Sequence, residues 1–225
     1  MNIGMLTALM VISIHFYSTQ CNLIMTTAIS TRGIICKLHV IKRQSITAFK
    51  LTIGSLITRK WIKISDMYVD NISGEMLSNV IRLYNENFIE INEKRFSRYI
   101  HLFNKTTYVY TDHNEVKGYC LYFITPSISF GRLKKTATLY SFTVDARCRG
   151  QGIGVRLLQK SILEMKLNSI GSVILYVAKD NEAAINLYQK VGFEITEERR
   201  DICGLGKECY KMEISFDEDV KMIFY

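Results

Sequence analysis

Proline is almost absent from this chain of 225 residues, and its cysteines and histidines are too scattered to mark a metal site. The only proline is Pro126, and no internal repeat is present, which favours one compact unit. The six cysteines contain no C-x-x-C pair, and the four histidines form no cluster. The pattern therefore predicts no metal site and no disulfide scaffold.

Acidic residues are missing from the first 65 positions, where Asp66 is the first to occur. Eight basic residues precede it, and from residue 66 onward the 21 remaining basic residues equal the acidic residues in number. The net charge of +8 thus belongs to the N-terminal part of the chain. We predict no nucleic-acid surface on the folded part, because its charges balance.

The N-terminal part has the composition of a targeting leader. The run Ile3–Tyr17 is apolar and uncharged, with the length of a signal-peptide core, and Arg32–Lys63 is basic, acid-free and supplied with Ser and Thr, as in organelle transit peptides. We predict a leader over residues 1–60 that directs the protein to an organelle (a plastid, reached through the secretory pathway, or a mitochondrion), a domain over 61–217 and a tail over 218–225.

Other interpretations of this leader stay open. It is also compatible with a membrane anchor that has a basic flank, in which case membrane contact depends on retention of the apolar segment. A start codon placed too early, with Met67 as an internal start, would give a cytoplasmic protein.

Hydrophobic periodicity predicts a mixed α/β fold in the rest of the chain. Trp61–Tyr68 alternates apolar and polar residues, which is typical of a strand with one buried face. The full order is βααβββαβαββ, which predicts one mainly antiparallel sheet flanked by helices. The further elements are helices Glu75–Phe88 and Asn92–Phe103, antiparallel strands Thr107–Thr111, Val116–Thr125 and Ala137–Val144, helix Gln151–Met165, strand Ser172–Ala178, helix Asn181–Val191, and strands 193–200 and 208–216.

A glycine-rich loop lies between a predicted strand and a predicted helix, and it reads R-x-x-G-x-G from Arg149 to Gly154. Glycines let the backbone curl with its N–H groups outward, and the helix that follows adds the positive end of its dipole, so the loop predicts a phosphate site. A Walker loop is excluded because no G-K-[ST] follows, and a dinucleotide fingerprint is excluded because Val155 stands where its third glycine is needed.

This loop resembles the acetyl-CoA motif of the GCN5-related N-acetyltransferase (GNAT) family, [RQ]-x-x-G-x-[GA]. A second family pattern, N-x-x-A-x-x-x-Y-x-x-x-G-F, is matched by Asn181, Ala184, Tyr188, Gly192 and Phe193. The resemblance covers residues 61–217 and implies a GNAT-type α/β fold, an enzyme with acetyl-CoA as co-substrate, and chemistry that needs no metal.

The resemblance also implies roles for individual residues. Asn181 would bind the pantetheine or steady the neighbouring strand, and Tyr188 would protonate the departing thiolate, which a phenol with a pKa near ~10 can do. Main-chain groups of Phe142, Thr143 and Val144 would bind the pantetheine arm. The pyrophosphate would be held by Arg149, Gly150, Gln151, Gly152, Ile153, Gly154 and Val155.

The sequence does not identify clearly the residue that acts as general base toward the acceptor amine. Tyr176 stands where related N-terminal acetyltransferases carry Glu or His, so Tyr176 and Tyr140 are the candidate catalytic residues of the two strands. The alternative for each of them is a half-buried strand aromatic without a catalytic role. Ser141, Asp145 and Glu182 are further candidates for ordering a water or accepting a proton; that list stays open.

Loose similarity of Leu83–Phe88 and Arg199–Met212 to protein N-terminal acetyltransferases favours a protein or peptide amine as acceptor, either an α-amine or a lysine. Phe88–Phe96 lies where the family shapes its acceptor groove. Two alternatives remain: a small amine such as a polyamine or amino sugar, and a non-catalytic acyl-CoA-binding module. No oligomeric state is predicted.

Overall fold

The computed structural model describes residues 46–88, 92–129 and 132–216. The chain forms two units, Met1–Leu56 and Ile57–Tyr225, and residues 46–56 of the first are helical. The predictions for residues 1–45 and for the tail 218–225 lie outside the described residues, as do residues 89–91 of the predicted acceptor segment. Within the described ranges, every helix is too short or too polar to cross a membrane.

The second unit is built on one seven-stranded sheet with the order β1-β2-β3-β4-β5-β7-β6. Its neighbouring strands are antiparallel, apart from the parallel pair β4 and β5. This confirms the predicted mixed, mainly antiparallel sheet. The strands are β1 Val69–Asn71, β2 Thr107–Asp112, β3 Glu115–Ser129, β4 Arg132–Val144, β5 Ser172–Ala178, β6 Glu194–Arg200 and β7 Glu208–Ser215.

Four α-helices accompany the sheet in the predicted order: α1 Leu77–Asn87, α2 Glu93–Leu102, α3 Ile153–Leu167 and α4 Glu182–Lys190. The two faces of the sheet are distinguished by their side-chain contacts. Tyr122 of β3 bonds Ser161 of α3, whereas the adjacent Phe123 packs against Tyr99 of α2. Because successive strand residues point to opposite faces, α2 lies on one side of β3 and α3 on the other.

The prediction of a strand over Trp61–Tyr68 is wrong, since β1 begins only at Val69. Residues 61–66, which we call the strap, lie along α3. The N–H and C=O of Ile62 bond the Asn168 side-chain amide at 2.8 and 2.9 Å, and the Ile64 N–H donates to Glu164 Oε1 at 2.9 Å. Side chains of α3 therefore satisfy backbone groups that a strand would have offered to a neighbour.

Glu164 connects the strap to the core. Its side chain is fully buried and accepts hydrogen bonds from the Tyr108 hydroxyl at 3.0 Å and the Trp61 indole N–H at 3.1 Å. Lys160, one turn earlier on α3, lies 3.7 Å away and also donates to the Val69 carbonyl. The buried charge is thus paired and its lone pairs are occupied, which such a charge requires.

The connection between β6 and β7 contains a disulfide, Cys203–Cys209, with Cα atoms 6.2 Å apart. The sequence pattern predicted no disulfide scaffold, and this single cross-link corrects that prediction for one pair. The two residues are six positions apart in sequence, and the turn brings them together through a bond from the Asp201 N–H to the Lys207 carbonyl at 2.9 Å. A single spacing of this kind carries no disulfide signal in the sequence.

Candidate active site

A gap opens in the sheet between β4 and β5. The two strands pair only from Thr136 to Thr138 on β4, opposite Ser172 to Ile174 on β5. Beyond this point β4 continues to Val144 and β5 to Ala178, and each is paired only on its outer side, with β3 or with β7. The sheet therefore contains a cleft whose two walls are strand edges.

The β4 wall of the cleft presents backbone groups. The Asp145 N–H bonds the Lys117 carbonyl at 2.8 Å, so that position faces β3. Because orientation alternates along an antiparallel pair, Phe142 and Val144 direct their N–H and C=O groups toward β5. The Val144 carbonyl accepts from Arg149 Nε at 3.2 Å. The predicted pantetheine-binding strand thus has an edge with the required orientation at Phe142, while Thr143 faces β3.

A β-bulge shapes the same strand. Leu121 pairs with Ser141 and Tyr122 with Leu139, so Tyr140 is the extra residue between them. A bulge bends its strand and adds local twist, which here turns β4 away from β5 at the start of the cleft. Ser141, one of the proposed water-ordering residues, has its hydroxyl in a buried bond to Tyr119 at 2.9 Å.

The loop after β4 leads into α3, whose N-terminus has no side-chain cap. Gly152 is the N-cap of α3, has φ +79° and offers no side-chain bond to the helix. The first intrahelical bond at this end runs from the Arg156 N–H to the Gly152 carbonyl at 3.0 Å. The amides of Ile153, Gly154 and Val155 therefore have no acceptor one turn earlier and sit at the positive end of the dipole.

Gly154 lets three elements approach one another closely. A Cβ at this position would lie 3.1 Å from Leu187 Cδ2 of α4 and 3.1 Å from Phe142 Cζ of β4. Any side chain would push α3 away from both neighbours. By contrast, a Cβ at Gly152 would meet nothing within 4 Å, so the space in front of the helix end is open. The arrangement suits a bound pyrophosphate.

The buried side chain of Asp145 anchors the loop through hydrogen bonds to Arg147. Its carboxylate, 3% exposed, accepts bonds from the Arg147 N–H at 3.0 Å and from the Arg147 guanidinium at 2.7 Å. These bonds with Arg147 hold the pKa of Asp145 well below its usual range. An ionised carboxylate with both oxygens engaged is suited to anchor the loop, and it is a poor proton acceptor.

The Arg149 side chain bonds groups outside the loop. Its Nη2 donates to Asn87 Oδ1 at the end of α1 at 2.6 Å, in addition to the Nε bond to Val144. Gln151 is exposed beside it. The predicted role of Arg149 in holding the pyrophosphate stays a prediction, and in this structure its guanidinium joins α1 to β4.

Tyr188 is positioned by the C-terminal end of α4. The N–H of Phe193 bonds the Tyr188 carbonyl at 3.0 Å, and the N–H of Gly192, with φ +99°, bonds the Gln189 carbonyl at 3.0 Å. These two bonds form a Schellman motif, and the Phe193 ring packs 5.8 Å from the Tyr188 ring as its apolar contact. The second sequence pattern is therefore a helix with a defined end that fixes this tyrosine.

The Tyr188 side chain is buried next to the cleft. Its ring centroid lies 6.1 Å from that of Phe142, on the α3 and α4 side of the sheet. Burial raises its pKa well above the ordinary value for tyrosine. Among the described residues its hydroxyl has no hydrogen-bond partner, so the phenol is protonated and available to a group in the cleft.

Tyr140 and Tyr176 lie on the opposite face from Tyr188. Tyr140 stacks on Phe123 at 4.4 Å and meets the Tyr99 ring of α2 at 5.3 Å. Burial raises its pKa, although Arg95 opposes that shift. Tyr176 belongs to the half-buried face of β5 that includes Ile174, which pairs with Thr138 opposite Phe123. The structure thus brings Tyr140 and Tyr176 to one face.

Asn181 caps α4, because its side-chain oxygen accepts from the Ala184 N–H at 3.2 Å. Its predicted contact with pantetheine stays a prediction. Glu182 follows in the first turn and is exposed. Sequence analysis missed the contacts of Asn87 and Arg82 with the loop, since both residues lie about sixty positions earlier; Asn87 lies in the segment Leu83–Phe88, which was noted only for its similarity to N-terminal acetyltransferases. Within the ranges that the structure describes, acidic, histidine and cysteine side chains form no group of three that could hold a metal ion.

Comparison with known proteins bears on this cleft. The model of the acetyltransferase (GNAT) family matches residues 77–193. The N-alpha-acetyltransferase of Sulfurisphaera tokodaii is 36% identical over 107 residues, covering 44% of this chain and 64% of that protein. The mycothiol acetyltransferase of Nocardia farcinica is 34% identical over 55 residues, covering 24% of this chain and 18% of its own. The chain thus spans less than two thirds of either relative.

A solved structure shows the same fold. Arabidopsis thaliana Naa50, in complex with the bisubstrate analogue CoA-Ac-MVNAL, superposes with a TM-score of 0.55 at 24% identity, over 66% of this chain and 97% of that one. The likeness supports the assignment of the fold.

Proposed function

Since the chain belongs to the acetyltransferase (GNAT) family, we propose that it transfers the acetyl group of acetyl-CoA to an amine of a protein or peptide. The observation that carries this proposal is the cleft between β4 and β5, with a buried tyrosine on one face and two tyrosines on the other. A thioester in the cleft would be accessible from both faces.

The residues present fit acetyl-CoA. Gly152 leaves open space at the end of α3, where the amides of Ile153, Gly154 and Val155 would donate to the pyrophosphate. The exposed edge of β4 at Phe142 would pair with the amides of the pantetheine arm, as a further strand would. When bound, acetyl-CoA supplies the activated acyl group.

The catalytic groups then act from the two faces. The acceptor nitrogen forms a bond to the carbonyl carbon, the carbon–sulfur bond breaks, and Tyr188 transfers its proton to the sulfur. The surplus proton of the amine leaves on the face of Tyr140 and Tyr176, through these hydroxyls or a water that they order. The burial that raises the pKa of Tyr188 also disfavours a thiolate in the same cleft, and the proton from Tyr188 neutralises that thiolate. The Tyr188 phenolate then takes up a proton from solvent, equal to the proton that the amine releases on the other face.

A protein or peptide acceptor is supported by the surface next to Tyr176. Lys211, its partner on β7, bridges Glu197 at 3.1 Å and Glu213 at 3.2 Å. These side chains form a part-exposed polar face next to Tyr176, which is suited to the main-chain groups of an extended peptide. The N-alpha-acetyltransferase relative agrees with this choice.

A small-molecule acceptor is the second candidate, because the relative from Nocardia farcinica is a mycothiol acetyltransferase. Free-thiol release from acetyl-CoA by the full chain distinguishes the two. The panel contains peptides with free α-amines, the same peptides with blocked α-amines and an internal lysine, polyamines and amino sugars. Release with a peptide class supports the proposal, release with only a small amine supports the second candidate, and CoA binding without any release supports a binding module.

We also propose that residues 1–60 are a leader for an organelle. Their composition supports it, and N-terminal sequencing of the protein isolated from its natural source tests it. An N-terminus near residue 60 is the expected result, and an intact Met1 would contradict the proposal.

A further inference from the structure

Two polar contacts join the C-terminal half of α1 to the loop after β4. Arg149 Nη2 donates to Asn87 Oδ1 at 2.6 Å, and Arg82 Nη2 lies 3.8 Å from Asp145 Oδ2. Both α1 residues are polar and part-exposed, and neither is needed to bury the helix. These two contacts therefore join α1 to the loop and do not contribute to the packing of the helix on the core.

Arg149 connects more than two elements. It is the first residue of the R-x-x-G-x-G motif, and its Nε also donates to the Val144 carbonyl at 3.2 Å, on the strand edge that lines the cleft. A single planar guanidinium thus fixes the loop relative to β4 and to α1 at once.

Asn87 is held on its own side as well. Its Nδ2 donates to the Leu83 carbonyl at 2.8 Å within α1. Tyr84, which follows Leu83 and precedes Asn87 by three positions, stacks on Phe96 of α2 with ring centroids 4.0 Å apart. The oxygen that receives Arg149 therefore belongs to a side chain with little freedom, on a helix that is packed firmly against α2.

We propose that Asn87 is a positioning residue that couples occupation of the loop by CoA to the order of α1, on the acceptor side of the sheet. The inference rests on the proposed function. An anion at the uncapped end of α3 restrains the loop and with it Arg149, and a restrained Arg149 holds Asn87 in place. Since coupling between two sites is reciprocal, order in α1 also favours CoA binding.

The test is hydrogen exchange of the full chain with and without CoA. In the wild type, CoA is expected to slow exchange at residues 149–156 and also at residues 83–87, the latter by roughly fivefold or more. Asn87→Ala should retain protection of the loop, lose protection of α1, and weaken the calorimetric CoA dissociation constant by roughly threefold or more.

Two further variants separate this role from a general effect on the fold. Asn87→Asp retains an oxygen for Arg149 and should restore the protection of α1. Asn79→Ala removes an exposed asparagine earlier on the same helix and should behave as the wild type. Equal α1 protection in the wild type and Asn87→Ala, or protection of the loop alone in the wild type, overturns the inference and leaves the proposed function standing. Absence of CoA binding to the wild type overturns both.

Discussion

Replacement of Tyr188 by phenylalanine separates the catalytic role of its hydroxyl from any role in folding. The hydroxyl has no partner among the described residues, so its removal leaves no other polar group unsatisfied. We expect the free energy of unfolding to change by less than about 0.5 kcal/mol. If the phenol donates the proton that the thiolate receives, turnover should fall about 10²- to 10⁴-fold.

Tyr122→Phe is the matched control, because it removes a tyrosine hydroxyl from the same core with the opposite structural setting. The Tyr122 hydroxyl is fully buried and bonds Ser161 at 2.7 Å. Its loss should lower the free energy of unfolding by about 1–2 kcal/mol and leave turnover near that of the wild type.

The assay combines thiol release from acetyl-CoA, with an acceptor found in the panel, and urea unfolding of each variant. A full rate in Tyr188→Phe would refute the proton-donor role. A loss of stability in Tyr188→Phe equal to that in Tyr122→Phe would refute the account of its surroundings. In the wild type, the raised pKa of Tyr188 predicts no loss of rate from its ionisation below about pH 10.

Three further outcomes are expected. Gly154→Val should destabilise the fold by about 1–3 kcal/mol and weaken CoA binding, since its side chain would collide with Phe142; calorimetry showing wild-type affinity would contradict this. Glu164→Ala should cost about 3–5 kcal/mol in urea unfolding, because Trp61 and a buried lysine lose their partner, and a cost under about 1 kcal/mol would disprove the importance of the network. Burial raises the pKa of Tyr99 to about 12, so the folded state keeps a proton that the unfolded chain releases. Its stabilising contribution is complete below about pH 10 and is lost as the pH rises through about 12, which should appear as a falling urea midpoint between about pH 10 and about pH 12.

The parts of the fold that sequence analysis predicted well are those determined by neighbours in the chain. The strand Ser172–Ala178 has the predicted bounds, because its apolar run is bounded by polar residues on both sides. The end of α4 was also predicted, since Gly192 adopts the left-handed conformation that the helix end requires. The short gap between the predicted strands Thr107–Thr111 and Val116–Thr125 forms the turn between β2 and β3, where His113 and Asn114 both have positive φ, as a tight hairpin requires.

The prediction of a strand at the strap was wrong for the opposite reason, because residues far away in sequence determine its structure. Its alternation of apolar and polar residues is genuine, but Glu164 and Asn168, about a hundred positions later, supply the hydrogen bonds that decide its structure. The extra residue in β4 was equally hidden, because a bulge at Tyr140 depends on the register with β3. Local propensity contains no information about partners that are distant in sequence.

The candidate site also contains features that residues close in sequence determine and features that distant residues determine. Motif spacing identified the loop and Tyr188, whose positions are fixed by backbone conformation. It could not predict the direction of the Arg149 side chain, which Asn87 determines from another element. Nor could it place Tyr140 and Tyr176 on the face opposite Tyr188, because that depends on how strands alternate across the completed sheet.

The strap also sets a limit on how far the chain can be trimmed. Proteolytic removal of residues 1–60 would leave Trp61 and Ile64 on α3, and the buried carboxylate of Glu164 would keep its donors. A shorter polypeptide that begins at Met67 would lack both, and it would enclose a carboxylate with fewer partners in its interior. Translation from that internal methionine should therefore give a product prone to degradation, whereas a protease acting before the tryptophan should release a mature form that persists.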